Sequence, residues 1–219
     1  MSITNFYEHK PQNGDPKHMV IMLHGLGSNG QDLISLAPIL SSYVPDAVFI
    51  SPDAPFTCDM VPAGYPNSYQ WFSLQDRDPK KMLEGVKVAF PLIAEFIEDQ
   101  AKRYEIDYEN IALLGFSQGT MTALYTAMRL KQKVAGVLGY SGALIGDCSS
   151  KDLHKIPVCL IHGKSDDVVP VAAWEMAKES LISNGFDFSG HTTDYLTHSI
   201  DQAGIESGGE FLRSVFAAK

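Results

Sequence analysis

The chain has 219 residues, of which 45% are hydrophobic and 20% charged, which is typical of a globular protein with one sizeable core. Its net charge of −9 argues against a nucleic-acid-binding protein and against electrostatic docking on anionic lipid, although a lipid-like substrate stays open. Three scattered cysteines, no signal-peptide pattern and no apolar run near the roughly 20 residues of a membrane span predict a single-domain cytoplasmic protein over residues 1–219, without disulfides or structural zinc.

Short apolar runs alternate with helical patterns along the chain. The predicted strands are MVIML (19–23), AVFIS (47–51), IALLGF (111–116), VAGVLGY (134–140), PVCLIH (157–162) and TDYL (193–196). The predicted helices cover 31–43, 82–104, 118–128, 171–183 and 206–218, and Pro91 should kink the second or start a new helix. This alternation predicts an α/β fold with a mostly parallel central sheet flanked by helices on both faces.

The stretch 52–79 breaks this alternation. It is long, rich in proline and aromatic residues, and shows neither helical nor strand periodicity. Stretches of this length inside a compact domain are usually lids or binding loops, so we expect a lid-like or pocket-forming loop here.

A serine stands between two glycines where a predicted strand becomes a predicted helix. The pentapeptide GFSQG (115–119) matches G-x-S-x-G, the nucleophile elbow that projects a serine hydroxyl above the sheet. Side chains at 115 and 119 would collide with the neighbouring strand and helix, which explains the glycines. Alternatively, Ser117 could act only as the N-cap of the helix. The elbow interpretation predicts Ser117 as a catalytic nucleophile.

A serine nucleophile needs an acid and a base, which in this kind of fold follow it in the chain order Ser, acid, His. Asp166 and Asp167 both lie in the loop after the predicted strand 157–162, and either carboxylate could serve by spacing. Of the seven histidines, only His191 and His198 come after these acids. His198 follows the predicted strand TDYL and is the predicted base, whereas His191 precedes that strand.

Two backbone N–H groups are needed to bind the oxyanion that forms during acyl transfer. The residue after the nucleophile, Gln118, supplies one, and the loop HGLGSNG (24–30) is well placed for the other. Leu26 is the predicted second donor, because Gly25 and Gly27 let this backbone approach the substrate. A phosphate-binding loop is disfavoured, since the lysine of a P-loop is missing and the dinucleotide pattern matches weakly.

Four motifs together resemble a known family. LHGLGSNGQD, GFSQG, HGKSDDVVP and YLTHSI, in this order and spacing, are similar to the small α/β-hydrolases of the carboxylesterase/acyl-protein thioesterase family, also called the phospholipase/carboxylesterase family. The resemblance runs from about residue 19 to the end of the chain. It implies Ser117 as nucleophile, His198 as base and Asp166 as acid, with Leu26 and Gln118 as the oxyanion donors.

The resemblance also implies where the acyl group binds and what the chain does. The segment QWFSL matches an aromatic segment beside the family's active site, so Trp71 and Phe72 are expected in the acyl pocket. Met60 is expected there too, because it is one of the apolar residues of the same loop. The implied activity is a serine carboxylesterase that hydrolyses esters or thioesters with a hydrophobic acyl group and needs no metal or cofactor. Alternatives are a lysophospholipase, a protein depalmitoylating thioesterase and a non-catalytic binding module.

The expected partners follow from the same resemblance. They are a small-molecule ester or acyl thioester, lipid-derived or part of an acylated protein, and a homodimer is compatible with the family. No nucleic-acid partner is expected, because the chain is acidic. Two features depart from the family pattern. Thr120 stands where GFSQGG is usual, from which we expect altered packing rather than lost chemistry, and the proline-rich stretch 52–70 is unusually long, which bears on acyl-chain preference.

Overall fold

A seven-stranded sheet forms the centre of the molecule. The computed structural model describes residues 2–11, 14–62 and 64–217, so the predicted helical residue Ala218 lies outside the described part. The strands are β1 Phe6–His9, β2 His18–Leu23, β3 Ala47–Pro52, β4 Phe56–Thr57, β5 Tyr69–Gln70, β6 Ile111–Phe116, β7 Gly136–Tyr140, β8 Val158–Gly163 and β9 Phe188–Thr193. The sheet order is β1-β3-β2-β6-β7-β8-β9, and β4 pairs with β5 in a separate ribbon.

All neighbouring strands of the main sheet are parallel except β1, which pairs antiparallel with β3 at one edge. This confirms the predicted mostly parallel sheet. The strand β1 was not predicted, because FYEH is short, half-exposed and lacks an apolar run. The β4–β5 ribbon lies inside the predicted loop 52–79, where two-residue strands give no periodic signal.

Helices cover both faces of the sheet. They are α1 Gly30–Leu33, α2 Ala37–Leu40, α3 Pro79–Tyr104, α4 Gln118–Ala127, α5 Ala172–Ser183 and α6 Gln202–Ala217, with 3-10 turns at Ile34–Leu36 and Tyr108–Asn110. Pro91 lies inside α3 as one continuous helix, so no second helix begins there. Among the described helices, none combines the length and the apolar character that crossing a membrane requires.

The strand β2 shows why the central strands read as unbroken apolar runs. Met19, Ile21 and Leu23 pack in the core with α3, α4 and α5, whereas Val20 and Met22 pack on the opposite face with α1, α2 and α6. Both faces of a central parallel strand are buried, so neither set of alternating side chains can be polar. The carboxyl ends of these strands all lie at one edge of the sheet, where the functional motifs follow them.

The prediction of TDYL as the last strand is wrong. The last strand is β9, with the polar sequence FSGHTT at the half-exposed edge of the sheet, and residues 194 and 195 form the turn that follows. An edge strand need not be apolar, and the exposed Tyr195 belongs to the turn. His191 therefore lies within the last strand and not before it, while His198 still follows it.

The last helix begins earlier than predicted. The structure starts α6 at Gln202, with Gly208 and Gly209 inside the helix. A Cβ at Gly208 would lie 2.1 Å from the Tyr140 hydroxyl, and one at Gly209 would lie 2.4 Å from the Tyr43 ring. Gly208 therefore allows α6 to lie close to Tyr140 of the sheet, and Gly209 allows it to lie close to Tyr43, which follows α2.

Candidate active site

Ser117 sits in a strained turn between β6 and α4. Its φ of +54° and ψ of −116° are unusual for a residue with a side chain, and such strain persists only where the surrounding structure enforces it. Ser117 N–H donates to the Tyr140 carbonyl of β7 at 2.9 Å, which holds the turn against the neighbouring strand. The Ser117 hydroxyl makes no capping hydrogen bond to α4, so its role is not that of a helix cap.

The two flanking glycines are required by contact distances, as the sequence predicted. A Cβ at Gly119 would lie 1.7 Å from the Leu23 carbonyl oxygen of β2, and one at Gly115 would lie 2.3 Å from the Thr120 nitrogen. Both atoms belong to the backbone and cannot move aside. Only glycine therefore allows α4 to start directly against β2 while the serine side chain points out of the turn.

Thr120, which stands where the family pattern usually has glycine, is accommodated by two other glycines of the fold. Its side chain fills the space where a Cβ at Gly142 or Gly139 would stand, at 2.3 and 2.5 Å. Its hydroxyl lies 2.8 Å from the carbonyl oxygens of both Gly115 and Tyr140, and one proton serves the two acceptors. Thr120 therefore ties the elbow to β7, as expected for altered packing.

Replacing Thr120 with glycine is expected to lower the free energy of unfolding by about 3 kcal/mol, because a hydroxyl bond, a packed methyl group and helix propensity are lost together. Thr120→Val keeps the volume and should cost about 1–2 kcal/mol. Urea denaturation measures both. The control is Thr122→Val, whose hydroxyl bonds only to Gln118 in its own helix and should matter less. A Thr120→Gly protein as stable as the parent would contradict this account.

Asp166 holds His198 in one orientation. The carboxylate Oδ2 of Asp166 lies 2.7 Å from His198 Nδ1, and because a carboxylate only accepts, Nδ1 carries the hydrogen and Nε2 is free. Burial raises the pKa of Asp166, but the His198 hydrogen bond and the Val168 and Val169 N–H groups outweigh it and hold that pKa below its usual value. Asp167, the alternative left open by spacing, is exposed.

Ser117 and His198 line one cavity of about 250 Å³ at the carboxyl edge of the sheet. The Phe116 ring packs on the His198 imidazole with their centroids 4.9 Å apart, a contact that the sequence did not reveal. Among the described residues no hydrogen bond joins the Ser117 and His198 side chains. Such bonds are often long without a ligand and tighten when substrate is bound.

His24 fixes the loop that carries Leu26. The Ala54 N–H donates to His24 Nε2 at 3.0 Å, so the ring hydrogen is on Nδ1, which donates to the Gly25 carbonyl at 2.7 Å. Burial lowers the pKa of His24 and keeps its ring neutral. The Gly25 carbonyl and the Leu26 N–H belong to the same peptide, so this bond orients the predicted donor. The sequence placed His24 in its motif without indicating this role.

Trp71 and Phe72 are buried and do not line the cavity. They hold Gln118 instead: its side-chain oxygen accepts from the Trp71 N–H at 2.9 Å, and its side-chain nitrogen donates to the Phe72 carbonyl at 2.7 Å. Met60 is 51% exposed and is also absent from the lining. The expectation that these three residues line the pocket is therefore not met. The matching segment is present, but its rings point into the core.

The cavity is mainly apolar. Its apolar lining comes from Leu26, Leu33, Leu74, Met82, Phe116, Met121, Val168 and Val169. The stretch 52–79 contributes Leu74 and Arg77, so it forms part of the pocket through its end and not through its aromatic middle. The Arg77 guanidinium donates to the Val168 carbonyl at 3.3 Å, which links this stretch to the loop that carries Asp166.

Comparison with known proteins identifies relatives along nearly the whole chain. The model of the phospholipase/carboxylesterase family matches residues 9–216. Acyl-protein thioesterase 1 of Emericella nidulans is 30% identical over 91% of this chain and 91% of that protein. Esterase YpfH of Escherichia coli is 26% identical over 90% of this chain and 82% of that protein. The crystal structure of esterase PE8 superimposes with a TM-score of 0.88 at 34% identity, over 98% of this chain and 100% of that one.

Proposed function

The chain belongs to the phospholipase/carboxylesterase family of carboxylic ester hydrolases, and on that premise we propose that Ser117, His198 and Asp166 hydrolyse esters or thioesters with a hydrophobic acyl group. One observation carries the proposal. Ser117, whose hydroxyl makes no hydrogen bond to α4, lines the same apolar cavity as His198. The Nδ1 of His198 is held by the buried Asp166 at 2.7 Å, so its Nε2 is free to accept a proton.

The proposed first step is acylation of Ser117. His198 Nε2 takes the hydroxyl proton as Oγ attacks the acyl carbonyl carbon, and Asp166 stabilises the imidazolium that forms. The tetrahedral intermediate then collapses, the bond from carbon to the leaving oxygen or sulfur breaks, and the imidazolium gives its proton to the leaving group. The products of this step are the acyl-enzyme and a free alcohol or thiol.

The second step is hydrolysis of the acyl-enzyme. A water molecule gives a proton to His198 Nε2 while its oxygen attacks the acyl carbon, and the proton returns to Ser117 Oγ as the carboxylic acid leaves. These steps need no metal or cofactor. The N-terminus of α4 behind Ser117 favours the negative charge that develops in front of it.

The proposed oxyanion donors are the backbone N–H groups of Leu26 and Gln118. Gly25 lies beside Ser117, since a Cβ on Gly25 would stand 3.4 Å from the Ser117 Cβ, so the loop with Leu26 borders the nucleophile. In the described part of the chain neither N–H donates to another protein group, which leaves both available. His24 supports the first donor and the Gln118 side chain fixes the second.

A probe that labels reactive serines and a series of substrates test this proposal. A fluorophosphonate should label the parent protein at Ser117, and an unlabelled protein would favour a non-catalytic binding module. Matched oxygen esters and thioesters of increasing acyl length then separate a carboxylesterase from the lysophospholipase and depalmitoylating thioesterase alternatives. A thioesterase is compatible with relatives named acyl-protein thioesterase 1, and its kcat/KM should be higher for thioesters. Dimer formation and a cytoplasmic location stay predictions.

We propose that the apolar cavity binds the acyl chain, so enlarging it should shift the chain-length preference. Met82 of α3 is half-buried and lines the cavity. In Met82→Ala, the p-nitrophenyl ester with the highest kcat/KM should have a longer acyl chain, with about fourfold gained per extra methylene accommodated. Its neighbour Leu83, packed towards Gly146 and outside the cavity, provides the control Leu83→Ala. Identical profiles for both variants and the parent would rule out this cavity as the acyl site.

A further inference from the structure

His162, the second histidine near Asp166, has no part in the mechanism described above. It lies in β8, four residues before Asp166, and is 1% exposed. A fully buried imidazole next to a proposed catalytic carboxylate is either a structural anchor or part of the support of that carboxylate. Its contacts decide between these roles.

The partners of His162 fix where its hydrogen is. Nε2 lies 2.8 Å from the Val169 carbonyl oxygen and 3.3 Å from Asp166 Oδ2. The Val169 carbonyl oxygen only accepts, so Nε2 must carry a hydrogen and donate it to that oxygen. The Asp166 carboxylate oxygen lies beside this N–H group, close enough for an electrostatic contact but without a hydrogen bond of its own to it.

Three N–H groups donate to the Asp166 carboxylate, whose side chain is fully buried, and the His162 Nε2–H lies close to it as a fourth. Oδ1 accepts from the Val168 and Val169 N–H groups at 2.9 and 2.8 Å. Oδ2 accepts from His198 Nδ1 and lies within reach of His162 Nε2. The carboxylate cannot rotate without losing donors at both oxygens, and an unpaired buried charge is costly.

His162 acts on Asp166 by two routes. The direct route is its contact with Oδ2, the oxygen that also holds His198. The indirect route passes through Val169, whose carbonyl accepts from His162 while its N–H donates to Oδ1. Both routes set the position of the carboxylate and, through it, the orientation of the His198 ring.

We propose that His162 is a positioning residue that holds Asp166 in the orientation required by His198. This inference rests on the proposed function, in which Asp166 is the catalytic acid. A histidine that only anchored its loop would affect folding stability but not the kcat of the folded enzyme. A positioning residue lowers kcat with little change in KM, since it is needed only when the imidazolium forms.

Two variants of similar polarity separate these roles. The His162→Gln amide nitrogen reaches about as far as Nε2 and should keep the donation, whereas the shorter His162→Asn amide should not. Per mole of folded protein, quantified by near-ultraviolet circular dichroism, we expect His162→Asn to lose about 10- to 100-fold in kcat at nearly constant KM. His162→Gln should recover most of that loss. Equal kcat values for both variants and the parent would overturn the proposal.

A double-mutant cycle tests whether the effect passes through Asp166. In an Asp166→Asn background, His162→Asn should cost less than about threefold, because the supported carboxylate is already gone. A full multiplicative loss there would also overturn the proposal. Parental activity of Asp166→Asn alone would instead refute the assigned catalytic acid, which distinguishes failure of the proposed function from failure of this inference.

A measurement on the intact side chain does not depend on the folding of the His162 variants. In the ¹⁵N NMR spectrum of the parent protein, His162 should have a protonated Nε2. Its Nε2–H signal should shift in Asp166→Asn and stay unchanged in Asp167→Asn, whose carboxylate is exposed. A ring with hydrogen on Nδ1 alone would contradict the donation to Val169, and a signal insensitive to Asp166→Asn would contradict the contact with Asp166.

Discussion

Ser117→Ala is expected to lower kcat for a short p-nitrophenyl ester by about 10⁵- to 10⁶-fold, since removal of a serine nucleophile costs on this order in a serine hydrolase. Alanine keeps the Cβ that already tolerates the strained turn at φ +54°, so the fold should persist. Steady-state hydrolysis and fluorophosphonate labelling measure the effect. The residual rate should reflect the oxyanion donors and binding alone.

The matched control for this change is Ser141→Ala. Ser141 follows β7, is 1% exposed and also has a positive φ, +48°, but does not line the cavity. Its hydroxyl makes only a long contact of 3.5 Å with the Ser199 carbonyl. We expect Ser141→Ala to keep most of the parental activity and its labelling. Activity retained in Ser117→Ala would refute Ser117 as the nucleophile.

Asp166→Asn is expected to lower kcat by about 10⁴-fold, as for the equivalent change in a well-studied triad. The asparagine oxygen would accept from the Val168 and Val169 N–H groups, which turns its NH₂ group towards His198 Nδ1. His198 must then accept at Nδ1 and carry its hydrogen on Nε2. In that tautomer Nε2 cannot take the proton of Ser117, so the geometry persists while the base is lost.

The neighbouring acid provides the control for this prediction. Asp167 is exposed, and Asp167→Asn should change kcat by no more than about twofold, as is usual for surface substitutions. The two variants differ from the parent by the same chemical change at adjacent positions. A larger loss in Asp167→Asn than in Asp166→Asn would show that Asp167, and not Asp166, is the catalytic acid.

Much of the fold could be predicted because its information is local. Strands such as 111–116 and 157–162 are apolar without interruption, since a central parallel strand is buried on both faces. The strands that were missed or misplaced, β1 and β9, lie at the edges of the sheet. Edge strands face solvent and can be short or polar, so their composition resembles that of loops.

The candidate site divides in the same way. Chain order and the strand-to-helix turn were enough to predict that Ser117 and His198 lie at the same cavity, because the carboxyl ends of parallel strands share one edge. Spacing alone could not distinguish Asp166 from Asp167. The two residues are adjacent, and only the folded structure determines that the Asp166 side chain is buried and the Asp167 side chain is exposed. Nor could spacing place Trp71 and Phe72, whose rings turn into the core while their backbone binds Gln118.

By itself, the sequence determined the α/β fold, the steric need for glycine at 115 and 119, and the order in which serine, acid and histidine follow their strands. Spacing left the acid open and the family resemblance implied Asp166, whose carboxylate the tertiary structure places against His198. Only the tertiary structure revealed the contacts of His162 and His24 near the site and the room that Gly139 and Gly142 leave for Thr120. The physical reason is the separation along the chain between the residues that interact. Turns and buried strands depend on neighbouring residues, whereas side-chain contacts depend on residues that are distant in the chain and meet only when the sheet and helices pack.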